Sequence, residues 1–275
     1  MGGYSSSVVV NGDHRTRAFG MIILAEITSI VVGNIGSGKS TFLKTLENRK
    51  TGSRLLPLLS MPGELKVVKE SPEVLKFVDS KFYPALKSGD KDGLFVVELA
   101  ILKARVEQMQ LNMRQGGIIF NERCPWEDKY VFVKNLHNQH LLSDDHYEIY
   151  KREYAAKMSS VASPDLLIYL YTKPKTAYRR RMEELTAGTG GLPSESGLTP
   201  EYLAGLHELY ERMINEELPQ EIPNFRDCLL IIDADKDFDP RDLEKFHNYI
   251  EARAQRLLAK RGFINSSPGK AVATR

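Results

Sequence analysis

Five short, largely apolar runs divide the chain: Ile30 to Gly33, Leu65 to Lys69, Gly117 to Asn121, Leu166 to Tyr171 and Leu229 to Asp233. Runs of this length, rich in Ile, Leu and Val, read as strands at the core of a parallel sheet. Between them the apolar positions recur at helical spacing, over about 39–49, 73–87, 94–114, 125–140, 144–161, 174–186, 199–216 and 240–260. Pro72, Pro164, Pro174, Pro200 and Pro240 stand near the starts of elements, where a missing N–H matters least. Strands alternating with helices predict an α/β fold with a five-stranded parallel sheet flanked by helices.

Two stretches interrupt this pattern. Thr51 to Gly63 reads as an irregular loop. Thr186 to Gly197 (TAGTGGLPSESG) is rich in Gly and Ser, and its composition predicts a long, mobile lid, about 179–198, over a phosphate site. Residues 27–260 read as one domain, with flexible tails at 1–26 and 261–275. The start, Met1-Gly2-Gly3-Tyr4-Ser5-Ser6, superficially fits a myristoylation pattern, and Arg15 and Arg17 a transit peptide; the latter would send the protein to mitochondria.

Composition narrows the class. Apolar residues make up 42% of the 275 and charged ones 27%, the balance of a globular core. A net charge of +2 gives no field for nucleic acid or a membrane surface, so neither is expected as a partner. The two cysteines, Cys124 and Cys228, fit a reducing, cytoplasmic setting, and no ligand spacing suggests a structural metal.

The chemistry begins at residues 33 to 41, Gly-Asn-Ile-Gly-Ser-Gly-Lys-Ser-Thr, which fit the phosphate-cradling pattern G-x-x-x-x-G-K-[ST] between a strand and a helix. Gly36 and Gly38 let backbone N–H groups curl around an anion at a helix N-terminus. Gly33, Asn34, Ile35, Gly36, Ser37, Gly38, Lys39, Ser40 and Thr41 are thus the expected ATP site. Lys39 would reach the β- and γ-phosphates, and Ser40 would hold Mg²⁺.

Further segments follow in order. Lys69-Glu70-Ser71-Pro72 ends the second strand, and Glu122-Arg123-Cys124 the third. Asp128 to Leu136 (DKYVFVKNL) forms the next helix, Leu203 to Tyr210 (LAGLHELY) lies after the lid, and Asp233 to Phe238 (DADKDF) ends the fifth strand. Together they resemble the deoxynucleoside kinase family, its deoxycytidine and deoxyguanosine kinase branch above all, over about residues 27 to 258. The resemblance implies a P-loop kinase fold with a lid, and transfer of the γ-phosphoryl group of ATP or another NTP to a deoxynucleoside 5′-hydroxyl. It makes Glu70 the general base, expected beside the end of the P-loop strand. Arg123 would orient the 5′-oxygen, Glu122 would help hold Mg²⁺, and Arg180 would be the first lid arginine. The family's further lid arginines fall on Glu184 and Thr186, a departure that leaves Arg179 or Arg181 as substitutes, or a weaker lid. Asp237 and Phe238 match the loop contacting the donor base. Relatives of this kind are homodimers; the stripe Leu99, Ile101, Leu102, Val106, Met109 and Met113 reads either as dimer surface or as core.

On the acceptor side the resemblance implies that Glu195 and Tyr83 meet the sugar 3′-hydroxyl, Phe132 stacks on the base, and Arg105 pairs with Asp128 near it. The family's base-reading glutamine falls on Glu98. An ionised glutamate offers acceptors alone, which suits the N1–H and N2–H₂ donors of guanine, so a purine is the expected substrate. A one-residue shift in register would instead turn Glu98 to solvent. Leu75 stands where relatives carry a pocket-walling tryptophan and would leave a roomier pocket. The alternatives are a thymidylate-kinase-like monophosphate kinase, which needs extra cations near Glu70 such as Lys66 or Lys69, and a P-loop switch without kinase activity.

Overall fold

A computed structural model describes residues 27–49, 65–115, 117–236 and 240–261. The expected tail at 1–26, the expected tail at 261–275 beyond its first residue, the 51–63 loop, and the donor-base residues Asp237 and Phe238 lie outside the described residues.

Five strands form one parallel sheet: β1 (Ile27–Val32), β2 (Leu65–Val68), β3 (Ile118–Glu122), β4 (Leu166–Tyr171) and β5 (Leu229–Asp233). Alternate residues of each strand feed opposite faces. On β4, Leu166, Ile168 and Leu170 enter one core with Phe42, Leu43 and Leu46 of α1 (Lys39–Arg49). Ile250, Ala254 and Leu258 of the last helix, Pro240–Lys260, complete that layer. Leu167 and Tyr169 enter the other core, beneath the remaining helices. Helices on both faces bury both sides of β1, β3 and β4, which is why these read as continuous apolar runs, while the edge strand β5 leaves Ile231 exposed.

The sheet order is β2-β3-β1-β4-β5. Glu70 therefore does not follow a strand adjacent to β1, as expected; β3 pairs with both, Val67 aligning with Phe120 and Val31 with Glu122. Strand order is a non-local choice that spacing along the chain does not encode. The order reverses around β1, so the loops after β1, β3 and β4 open onto one crevice at the carboxyl edge, where ligands of open α/β sheets bind.

The second core is built by α2 (Pro72–Phe77), α3 (Tyr83–Ser88), α4 (Lys91–Met113), α5 (Pro125–Glu127), α6 (Lys134–Asn138), α7 (Asp144–Met158), α8 (Pro174–Ala187) and α9 (Pro200–Arg212). Helix α4 starts three residues before the expected Leu94, because the Asp90 side chain accepts from the Gly93 N–H at 2.9 Å and caps it. Wider π turns at Val78–Phe82 and Asp128–Val133 join α2 to α3 and α5 to α6; such turns are frequent at functional sites. The Gly/Ser-rich stretch, expected as a lid, lies between α8 and α9. Gly188 ends α8 at φ 64°, and Pro193–Gly197 forms a 3₁₀ turn whose Ser194 N–H donates to Asp79 at 3.3 Å.

Candidate active site

The loop after β1 takes its shape from glycine. Gly36 and Gly38 sit at φ 74° and 88°, in the left-handed region. A Cβ on Gly36 would meet the Ala177 carbonyl oxygen at 2.1 Å, so α8 closes on the loop where only glycine fits. Asn34 ties the loop to α9, its Nδ2 donating to the Leu203 carbonyl at 2.9 Å while Oδ1 accepts from Ile35 N–H. Lys39 is buried and donates to the carbonyls of Gly33 (2.7 Å) and Asn34 (2.9 Å). Burial, with the Arg123 charge adding, pushes its ammonium down to about 7. A bound polyphosphate would supply the anionic partner that restores its charge.

Ser40 and Glu122, the two residues expected at a metal, come together across the crevice, Ser40 Oγ donating to Glu122 Oε1 at 3.0 Å. A hydroxyl and a carboxylate are hard oxygen donors, the set Mg²⁺ takes alongside phosphate and water.

Arg123 follows directly on β3 with φ 69°, a conformation strained for a residue with a side chain. Its guanidinium lies 4.9 Å from the centroid of the Phe132 ring, a cation–π contact. Its Nη1 donates to Glu127 Oε1 (3.3 Å) and to the Tyr210 hydroxyl (3.1 Å).

Glu70 faces Arg105. The guanidinium donates to it through Nε (3.2 Å) and Nη2, while Nη1 reaches Asp128. The expected Arg105–Asp128 pair thus extends to the general-base candidate. Glu98 lies two helical turns before Arg105 on α4 and is 2% exposed, so it does not turn to solvent. Burial pushes its carboxyl up to about 7 against the pull of Arg105. Tyr150, with its hydroxyl buried, and Tyr202 are among the groups its charge reaches. The Leu75 side chain, at the position of the family tryptophan, is exposed.

Three successive arginines on α8 diverge because each residue turns about 100° from the last. Arg179 is exposed and pairs with Glu183 at 2.8 Å. Arg180 points to the end of β5, donating to the Ala234 carbonyl at 2.6 Å. Arg181 turns inward: it pairs with Glu184 at 2.9 Å, approaches Glu195 at 3.7 Å, and its charge acts on Lys39 and Tyr83. Glu195 is buried, caps its own turn by accepting from Leu192 N–H at 2.7 Å, and accepts from the Tyr83 hydroxyl at 3.5 Å. Burial and Glu195 raise the Tyr83 phenol well above its ordinary range.

Sequence reasoning missed Glu127, Tyr202 and Tyr210. Glu127 carried one signal, Cys-Pro-Trp-Glu, the spacing of a capping box that the structure forms: Glu127 Oε2 accepts from Cys124 N–H at 3.1 Å. Tyr210 ends the Leu203 to Tyr210 segment that carries the resemblance, without a role assigned to it, and Tyr202 stands just before that segment on the same amphipathic helix.

Known proteins resemble the chain along most of its length. It is 24% identical over 229 residues to deoxycytidine kinase 1 of Xenopus laevis, covering 76% of this chain and 82% of that protein. It is 26% identical over 234 residues to the mitochondrial thymidine kinase 2 of Homo sapiens, covering 83% and 76%. A probable deoxycytidine kinase of fowlpox virus is 32% identical over 130 residues, 46% of this chain and 51% of that protein. The sequence profile of the deoxynucleoside kinases matches residues 30–254, and with this fold and crevice the chain belongs to the deoxynucleoside kinase family, a family of nucleoside phosphotransferases.

Proposed function

We propose that the protein transfers the γ-phosphoryl group of ATP to the 5′-hydroxyl of a deoxynucleoside, with a purine, guanine first, as the preferred base. The observation that carries this reading is the convergence of Ser40–Glu122, Lys39 and Arg123 on one crevice with Glu70 and Arg105 at its acceptor side. Phosphoryl transfer asks the protein for positioning and charge neutralisation more than covalent chemistry. The P-loop N–H groups and Lys39 would hold the donor phosphates, and Arg123 would orient the attacking oxygen. Glu70, released from Arg105 as substrate enters, would accept the hydroxyl proton. Mg²⁺, when bound at Ser40 and Glu122, would neutralise charge on the donor phosphates.

For the lid we take residues 179–198, with Arg181 as the cation facing the transferred group. Its inward turn supports this, while Arg180 reaches toward the donor-base end of β5. Tyr83 and Glu195 together suit the sugar 3′-hydroxyl, and Phe132 and the Arg105–Asp128 pair the base. The purine reading rests on Glu98, buried in the wall that carries Arg105. Its raised carboxyl adds a condition: ionised, it matches guanine's two donors; neutral, it offers one donor and one acceptor, as glutamine does.

The expected stripe on α4 is mostly core, with Ile101, Leu102, Val106 and Met109 buried. We place a homodimer contact instead on the outer face of α4, where Val96 and Leu111 are exposed. No helix among the described residues is long and apolar enough to cross a membrane. The two cysteines are free and buried, which supports a reducing, cytoplasmic setting. Against a monophosphate kinase, Lys66 donates to Gln115 and Lys69 pairs with Glu47, both at 3.0 Å, away from Glu70.

The test is purified protein with labelled ATP and Mg²⁺ against the four deoxynucleosides, their monophosphates and oligonucleotides. The expected product is a deoxynucleoside 5′-monophosphate, dGMP fastest. Phosphorylation of monophosphates alone, or hydrolysis with no acceptor product, would sink the reading.

A further inference from the structure

Glu127 is fully buried, and a buried carboxylate persists only where other groups satisfy it. Its partners come from three segments. Oε1 accepts from the Tyr210 hydroxyl on α9 at 2.6 Å, from Arg123 Nη1 after β3 at 3.3 Å, and from the Gly33 N–H at the start of the P-loop at 3.4 Å. Oε2 accepts from the Cys124 N–H. Arg123 Nη1 also donates to the Tyr210 oxygen at 3.1 Å, which closes a triangle of guanidinium, phenol and carboxylate. Tyr210 is in turn held by a stacked ring, Tyr169, 6.1 Å away on β4.

This arrangement does more than satisfy a buried charge. Arg123 leaves β3 in a strained backbone conformation, and a long side chain there would sample several rotamers without an anchor. The same oxygen that fixes its guanidinium also receives the first N–H of the donor-phosphate loop. We infer that Glu127 is a positioning residue, one that sets the acceptor-side arginine and the donor-side P-loop in register through a single carboxylate. The inference rests on the kinase reading above, in which Arg123 meets the reacting oxygens. In-line transfer is sensitive to placement, and a shift of about 1 Å is worth roughly 10²-fold in rate.

The test is a double-mutant cycle on the full chain. Glu127→Gln keeps an acceptor for Tyr210 and Cys124 but removes the charge that holds Arg123. We expect kcat to fall about 10- to 100-fold, with KM for nucleoside and for ATP changing less than about threefold. In an Arg123→Ala background the same substitution should change kcat less than about twofold, since Glu127 acts through Arg123. Tyr210→Phe, which removes only the phenol from the triangle, should give a smaller kcat loss with the same non-additivity, and serves if Glu127→Gln does not fold. Additive losses, a nucleoside KM that carries the effect, or unchanged kcat would overturn the inference. The cycle is read on nucleoside turnover and on basal ATP hydrolysis. A wild-type protein that hydrolyses ATP but phosphorylates no nucleoside removes the kinase reading, while additivity on hydrolysis still decides the role of Glu127.

Discussion

At the phosphate end of the crevice main chain shapes the loop and accepts its contacts: Gly36 and Gly38 bend the loop, the Gly33 and Asn34 carbonyls hold Lys39, and the Leu203 carbonyl holds the Asn34 side chain. At the nucleoside end they are made by side chains: Glu70, Arg105 and Asp128 share one guanidinium, Glu98 is buried beside it, and Arg181 bridges toward Glu195. A main-chain cradle recognises what every nucleotide shares. A side-chain pocket can be altered one residue at a time, and it is here, at Glu98, Leu75 and the lid, that the resemblance leads one to expect departures from the family. The difference teaches where specificity can drift without loss of the reaction.

The largest expected effect lies where the two ends meet. Glu70→Gln should lower kcat about 10³-fold with little change in KM for ATP, because it removes the proposed proton acceptor and leaves the cradle intact. Steady-state kinetics with the best nucleoside measure it. A loss below tenfold would reduce Glu70 to a partner of Arg105 and weaken the division between the ends.

The cradle has its own breaking point. In Gly36→Ala the new methyl would sit 2.1 Å from the Ala177 carbonyl oxygen at φ 74°, and neither backbone can yield cheaply. Strain on the order of 2–3 kcal/mol would weaken ATP binding roughly 30- to 150-fold. Calorimetric titration with ATP checks this, and near-wild-type affinity would show that the loop tolerates side chains after all.

The lid sharpens the comparison, since it touches both ends. Arg181→Ala should lower kcat about 30-fold, and Arg180→Ala should mainly raise KM for ATP severalfold, because the two guanidiniums point to different places. The reverse pattern would return the family's usual lid residue to the reacting group.

These assignments differ in how far the sequence alone carried them. Features set by local chemistry were legible: the glycines of the P-loop with Ser40, and the strand runs with their flanking prolines. The family resemblance singled out Glu122, Arg105 and Asp128, and the fold brings Ser40 to Glu122 and Arg105 to Asp128. Features set by phase or by distant packing were not. Which of three adjacent arginines faces inward depends on where α8 meets the P-loop at Ala177. That Glu127 receives Gly33 and Tyr210, 94 and 83 residues away in the chain, depends on the sheet order that placed β1 beside β3. Ionisation was illegible too. Glu98 read as a carboxylate until its burial was known.

That last point gives the smallest and most specific prediction. The Glu98 carboxyl is raised from its ordinary value to about 7, so it is neutral in the folded protein at pH 5.5 and charged at pH 8.5. If it reads guanine as a carboxylate, the ratio of kcat/KM for deoxyguanosine over deoxycytidine should rise with pH through this range, by about tenfold at most. Glu98→Gln should flatten the ratio at its low-pH value. Stability runs in the opposite direction. A carboxyl with a raised folded pKa contributes fully below the unfolded value near 4.5, and that contribution is lost as pH rises through 7. The Tm of Glu98→Gln relative to wild type should therefore climb between pH 5 and pH 8. A selectivity ratio that ignores pH while the Tm difference climbs would keep Glu98 buried and titrating, but would remove it from contact with the base. Discrimination at the nucleoside end would then rest on Arg105 and Asp128.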